Sequence, residues 1–169
     1  MSLWQKLFGG RESEPADHGV ADSHPGGEVA EPEPPYGIGR RPMPGGEDPD
    51  DLLPPRVGPY TRAPIESPAG TDAPTYAAYR RGEATVFVEM GVCDSPADAR
   101  EALATAKAET GAEFPGVPQL FLEWGGVGCL RTVNRLGAFV AWTRGRYYFS
   151  AHAKGGEGDL DEFMEAFPY

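Results

Sequence analysis

The sequence predicts an α+β fold: a two-layer sandwich of a largely antiparallel sheet, about five strands, with two helices on one face, preceded by a long extended Pro/Gly-rich N-terminal arm. Three observations point there. Of the 18 prolines, 14 fall before position 76, so the first part of the chain cannot carry regular ladders and the last part can. The stretch from Gly137 to Ala153, GAFVAWTRGRYYFSAHA, concentrates aromatic and β-favouring residues around a turn and reads as a hairpin. The order strand, helix, four strands, helix suits an antiparallel sheet better than a parallel one, because no repeated strand–helix alternation is present.

Three segments follow from composition: residues 1–10, 11–75 and 76–169. In the first, Leu3, Trp4, Leu7 and Phe8 share one helical face, and Gly9-Gly10 ends it. This is a short apolar handle for a partner; the competing reading is a frayed terminus, since so short a helix does not hold alone in water. Residues 11–35 are acidic and poor in large apolar side chains, which is the composition of a tether. Between Tyr36 and Ile65 the texture changes. Tyr36, Leu53 and Tyr60 lead a set of apolar anchors spaced among prolines, suited to lying along another protein's surface, with a plain linker as the alternative.

The domain over residues 76–169 opens with a short edge segment at Tyr76, Ala77 and Tyr79. Ala84 to Cys93 alternates as a strand, with Val86, Val88, Met90 and Val92 on one face. Ser95 and Pro96 start a helix that Gly111 closes, with Ala99, Ala102, Leu103 and Ala106 as its buried stripe. Strands are expected over Gln119 to Trp124, Cys129 to Asn134, Leu136 to Trp142 and Arg146 to Ala153, with Gly125 to Gly128 as a turn and Thr143-Arg144-Gly145 as a three-residue hairpin loop. On the last strand the period of two sets Tyr147, Phe149 and Ala151 toward the core and Tyr148, Ser150 and His152 away from it. Asp159 and Glu162 form a capping box for the final helix, whose Leu160, Phe163, Met164 and Phe167 make one stripe.

Charge and motifs exclude several functions. The formal charge of −11 is negative in both parts, so nothing is shaped to wrap nucleic acid. His18, His24 and His152 lie far apart, Glu47 to Asp51 lacks the spacing of a calcium loop, and neither cysteine sits in a CxxC pair; no metal and no cofactor is expected. Gly155-Gly156-Glu157-Gly158 would repel an anion through Glu157 and Asp159. His152 reads as a partly exposed strand histidine, and no nucleophile has a base beside it, so no enzyme is expected. Cys93 and Cys129 read as buried thiols, their pairing left open. No stretch approaches the length that spans a bilayer and no signal peptide is evident, which makes the cytoplasm the expected location, at the membrane periphery only through partners.

In this acidic chain, Arg131, Arg135, Arg144, Arg146 and Lys154 all come from the hairpin region, and Tyr148 lies among them. The residues expected to bind a partner are therefore Leu3, Trp4, Leu7, Phe8, Tyr36, Leu53 and Tyr60 on the arm, and Arg144, Arg146 and Tyr148 on the hairpin. The function that fits is a non-enzymatic accessory or linker subunit whose partners are protein subunits of a larger assembly, with a membrane surface as a further setting. The alternative is a small-molecule-binding or sensory module with its pocket between helix and sheet.

Overall fold

The computed structural model describes residues 35–39, 42–43, 45, 48–64, 74–124, 127–167 and 169. After a 3-10 turn at Pro35–Gly37 and a single helical turn α1 (Pro49–Leu52), the elements are β1 (Arg56–Val57), β2 (Tyr60–Arg62), β3 (Thr75–Arg81), β4 (Ala84–Val92), α2 (Pro96–Glu113), β5 (Gln119–Trp124), β6 (Val127–Asn134), β7 (Gly137–Arg144), β8 (Tyr147–Ala153) and α3 (Glu157–Ala166). The strands form one sheet in the order β1-β2-β3-β4-β8-β7-β6-β5, antiparallel at every pairing. The mixed helix-and-sheet class and the antiparallel sheet stand as expected. The sheet has eight strands instead of about five, because three lie before Ala84. Strands β1 and β2 are only two and three residues long, and prolines flank them at the edge of the sheet, where a missing N–H costs no ladder bond.

The two longer helices take opposite faces, which corrects the expected two-layer arrangement. Along β7, Ala138, Val140 and Trp142 join the core under α3, while the alternate Phe139 and Ala141 pack with Leu103 of α2. The hairpin is thus buried on both sides. Tyr148 packs against the α2 cluster, and Ser150 and His152 are as enclosed as Phe149. Alternation distinguishes two faces but does not reveal that both are covered when the second carries Ser and His. The helix α2 crosses over β6, β7 and β8, and α3 over β4, β7 and β8.

Local chemistry explains the elements. Ser95 caps α2 by accepting from the Asp98 amide at 3.2 Å, and Pro96 opens the helix. The helix runs past Gly111 to Glu113. Leu103 reaches the sheet because Gly128 opposes it: a Cβ there would lie 2.5 Å from Leu103 Cδ2. Gly128 belongs to β6 and not to the preceding turn. The β7–β8 loop is two residues long, Gly145-Arg146, with Arg144 opposite Tyr147 and Gly145 at φ 57°, so the three-residue loop is also corrected. At the start of α3, Gly156 is the cap and no side chain bonds there, since Asp159 and Glu162 are engaged by Arg81.

The apolar residues described between Tyr36 and Arg62, expected to reach outward, belong to the α3-side core. Ile38, Leu52, Leu53, Val57 and Tyr60 are buried among Tyr79, Phe163 and Phe167. Tyr60 meets Phe163 edge-on, with ring centroids 5.5 Å apart, and its hydroxyl donates to the Asp159 carbonyl at 3.1 Å. Tyr79 donates to the Pro54 carbonyl at 3.0 Å. The folded unit therefore begins well before Tyr76. The anchors fill the chain's own core because β3, once covered by β2, offers them an apolar face at no cost in translational freedom.

Candidate protein-docking edge

Strand β5 is left at the margin by topology. The α2 crossover carries the chain from β4 to the far side, and β5, β6, β7 and β8 then return as a meander until β8 pairs with β4. Among the described residues, no strand pairs with the outer side of β5, so a row of backbone donors and acceptors faces outward. The strand contains neither proline nor lysine, two common means of blunting an edge.

Its two faces differ. Phe121 turns toward α2, where Lys107 Nζ lies 4.2 Å from the ring centroid. Leu120 and Leu122 take the opposite face, beside Arg131 and Cys129 in the register. There, α3 lies mainly over β4, β7 and β8, and Leu120 is 48% exposed. Val133 on β6, diagonal to Leu120, is 40% exposed on the same face. Together these side chains make an apolar strip along the sheet margin.

A polar cluster forms the inner wall of the strip. Arg131 bonds to Glu157 and lies 3.2 Å from Asp161 of α3. Its Nε donates to the Tyr36 hydroxyl at 2.6 Å, and that hydroxyl donates to Asp161 Oδ1 at 2.5 Å. Burial and the bond to Asp161 hold the Tyr36 phenol well above its ordinary range, so it remains a donor. Tyr36 sits at φ 60°, an uncommon conformation for a non-glycine residue, which these two hydrogen bonds help to hold. On the far flank of α3, Arg81 pairs with Asp159 and Glu162 and lies 5.0 Å over the Tyr60 ring. Two strand arginines thus balance the acidic helix from either side.

The expected partner-binding residues divide into three groups. Leu3, Trp4, Leu7 and Phe8 lie outside the described residues. Tyr36, Leu53 and Tyr60 are used within the protein, Leu53 and Tyr60 fully buried. Arg144, Arg146 and Tyr148 are half-buried: Arg144 lies by Gly39, where burial lowers its pKa, and Tyr148 packs below α2. Arg131, expected in the basic patch, pairs with Glu157 and Asp161 of α3. Leu120, Leu122 and Val133 were missed as surface residues; their alternation is visible in the sequence, but the absence of a neighbour is a property of the topology.

Of the other reactive groups, Cys129, His152 and Glu89 are buried, and Cys93, expected to be buried, is half-buried. Burial pushes the Cys129 thiol up to about 12 and raises that of Cys93 as well. Both are free, and β8 and β7 stand between β4, which Cys93 follows, and β6, which carries Cys129, so the pairing left open is settled: two intervening strands exceed disulfide reach. His152 is buried, not partly exposed; its Nε2 lies 3.2 Å from the Leu136 carbonyl beneath the β6–β7 turn, and burial lowers its pKa. Glu89 is buried beside Ser150, 3.5 Å away. Among the described residues, no group of three or more potential ligands could hold a metal ion, and no helix is long and apolar enough to cross a membrane.

No protein-family model matches the chain, and no curated protein matches it. The chain is similar to a solved structure of a GTP binding regulator from Thermotoga maritima, at 15% identity over 67% of this chain and 81% of that one, with a TM-score of 0.48. A likeness that distant carries no functional argument.

Proposed function

We propose that this protein is a non-enzymatic accessory subunit that joins a larger protein assembly by presenting the open edge of β5, together with the apolar handle at Leu3, Trp4, Leu7 and Phe8. The observation that carries the reading is the open edge itself: a six-residue strand with an outward backbone row and Leu120 and Val133 exposed beside it. An added strand would gain main-chain hydrogen bonds from the edge and side-chain specificity from the strip. The hairpin contributes by supporting this edge, because its Phe139, Trp142 and Phe149 are buried.

The test compares tagged full-length protein with Leu120→Asp and with a Trp4→Ala, Phe8→Ala double variant, each crosslinked mildly in cells before purification. A stoichiometric partner recovered with the wild type and lost with Leu120→Asp is expected, because a charge on the strip opposes docking without entering the core. Equal recovery by all three proteins would defeat the reading. A small-molecule-binding module is the second reading, favoured by the buried Glu89–Ser150 pair at the flank of α2. A ligand whose stabilising effect disappears in Glu89→Gln would support it.

A further inference from the structure

We infer that the apolar strip formed by Leu120, Leu122 and Val133 is the seat of this chain's own N-terminal handle, Leu3, Trp4, Leu7 and Phe8, whenever no partner occupies the edge. The inference deepens the proposed function and rests on its view of the β5 margin as a docking surface. Three observations carry it. First, the described chain begins beside the strip: Tyr36 is bonded to Arg131, and Arg131 is the register partner of Leu120. The segment that precedes Tyr36 therefore starts within a few strand spacings of its seat.

Second, the length is sufficient. Residues 9–35 separate Phe8 from Tyr36, and coil of that many residues would span about 30 Å, several times the spacing of roughly 5 Å between neighbouring strands. A short tether of this kind converts docking into an intramolecular event at an effective concentration on the order of millimolar, so even weak apolar contact suffices. Third, the chemistry matches. The handle offers four large apolar side chains to an apolar strip. Positions 9–34 carry seven acidic residues and one basic residue, a charge opposite to that of the exposed Arg135 two residues from Val133. The partner must then displace the handle, which also becomes free to grip it, so covering and fastening are two uses of one segment.

The experiment uses the full-length protein with a photo-crosslinking benzoylphenylalanine in place of Val133, irradiated at low micromolar concentration and mapped by mass spectrometry. Crosslinks within one chain to residues 1–10 are expected, reduced about fivefold or more by Trp4→Ala with Phe8→Ala and likewise by Leu120→Asp. Leu120 lies outside the buried core, and unchanged thermal midpoints confirm that the variants fold. Absence of intrachain links to residues 1–10, links insensitive to both variants, or links solely between two chains would overturn the inference, the last in favour of a second copy on the edge. Partner capture that depends on Leu120 without any intrachain link would leave the proposed function standing and this inference fallen. An intrachain link without partner capture would do the reverse.

Discussion

At the residue scale, His152 ties stability to pH. Its imidazole is enclosed under the β6–β7 turn, and burial depresses its pKa below the ordinary 6.5, an effect that the Leu136 carbonyl partly offsets and Lys154 adds to. Unfolded chain therefore binds a proton at mildly acid pH that folded chain refuses, so stability is full above about 6.5 and falls as pH drops through the window below it. Thermal midpoints measured from pH 7.5 to 5.5 are expected to decline for the wild type and to decline less for His152→Gln; parallel curves would show that His152 is not the group responsible. Two aromatic neighbours provide a second test. Phe149 stacks on Trp142, centroids 5.2 Å apart, and Phe149→Ala is expected to cost roughly 3–5 kcal/mol in urea unfolding. Tyr148 points the other way yet packs against the α2 cluster, so Tyr148→Ala is expected to be clearly destabilising too. A near-neutral Tyr148→Ala would mean that the α2 face is not a core.

At the element scale, α2 depends on a single close approach. It buries only Ala99, Leu103 and Thr110, and Leu103 enters the sheet over Gly128. Gly128→Ala places a methyl against Leu103 Cδ2 and is expected to destabilise by roughly 1–3 kcal/mol through overpacking. Combined with Leu103→Ala, the cost should be less than the two single costs summed, since the smaller side chain vacates the space the methyl needs. Strict additivity in a double-mutant cycle would place the two residues apart. These elements show what the sequence can and cannot convey. The cap at Ser95, the alternation of β4 and the stripe of α3 are local, and the sequence displays them. That Phe139 and Ala141 meet Leu103 while Val140 and Trp142 meet α3 is not local: both parities of β7 are apolar, and the choice of faces is made by the crossover. The same holds for the β5 edge, where Leu120 looks like any strand residue until the strand order leaves it, among the described residues, without an outer neighbour.

At the scale of the whole molecule, the question is where the folded unit starts, and composition alone misleads. Prolines make residues 36–62 resemble an outward arm, yet Ile38, Leu52, Leu53, Val57 and Tyr60 complete the face that α3 covers, and Tyr169 donates to the Asp51 carbonyl at 2.7 Å. Each buried Leu or aromatic residue of that kind is worth on the order of 2–5 kcal/mol to a domain whose total stability is about 5–15 kcal/mol. Removing residues 1–34 is therefore expected to leave the thermal midpoint within a few degrees of the full chain, whereas removing residues 1–73 deletes β1, β2 and five buried apolar side chains and should abolish cooperative unfolding. The intermediate case is the informative one. Leu53→Ala with Tyr60→Ala in the full-length chain keeps every residue of the segment but empties its core positions. If those residues act as core, this variant should lose several kcal/mol in denaturant unfolding. If they act instead as anchors for a partner, it should unfold like the wild type and lose only the partner. Denaturant unfolding of the isolated protein separates the two roles before any partner is known.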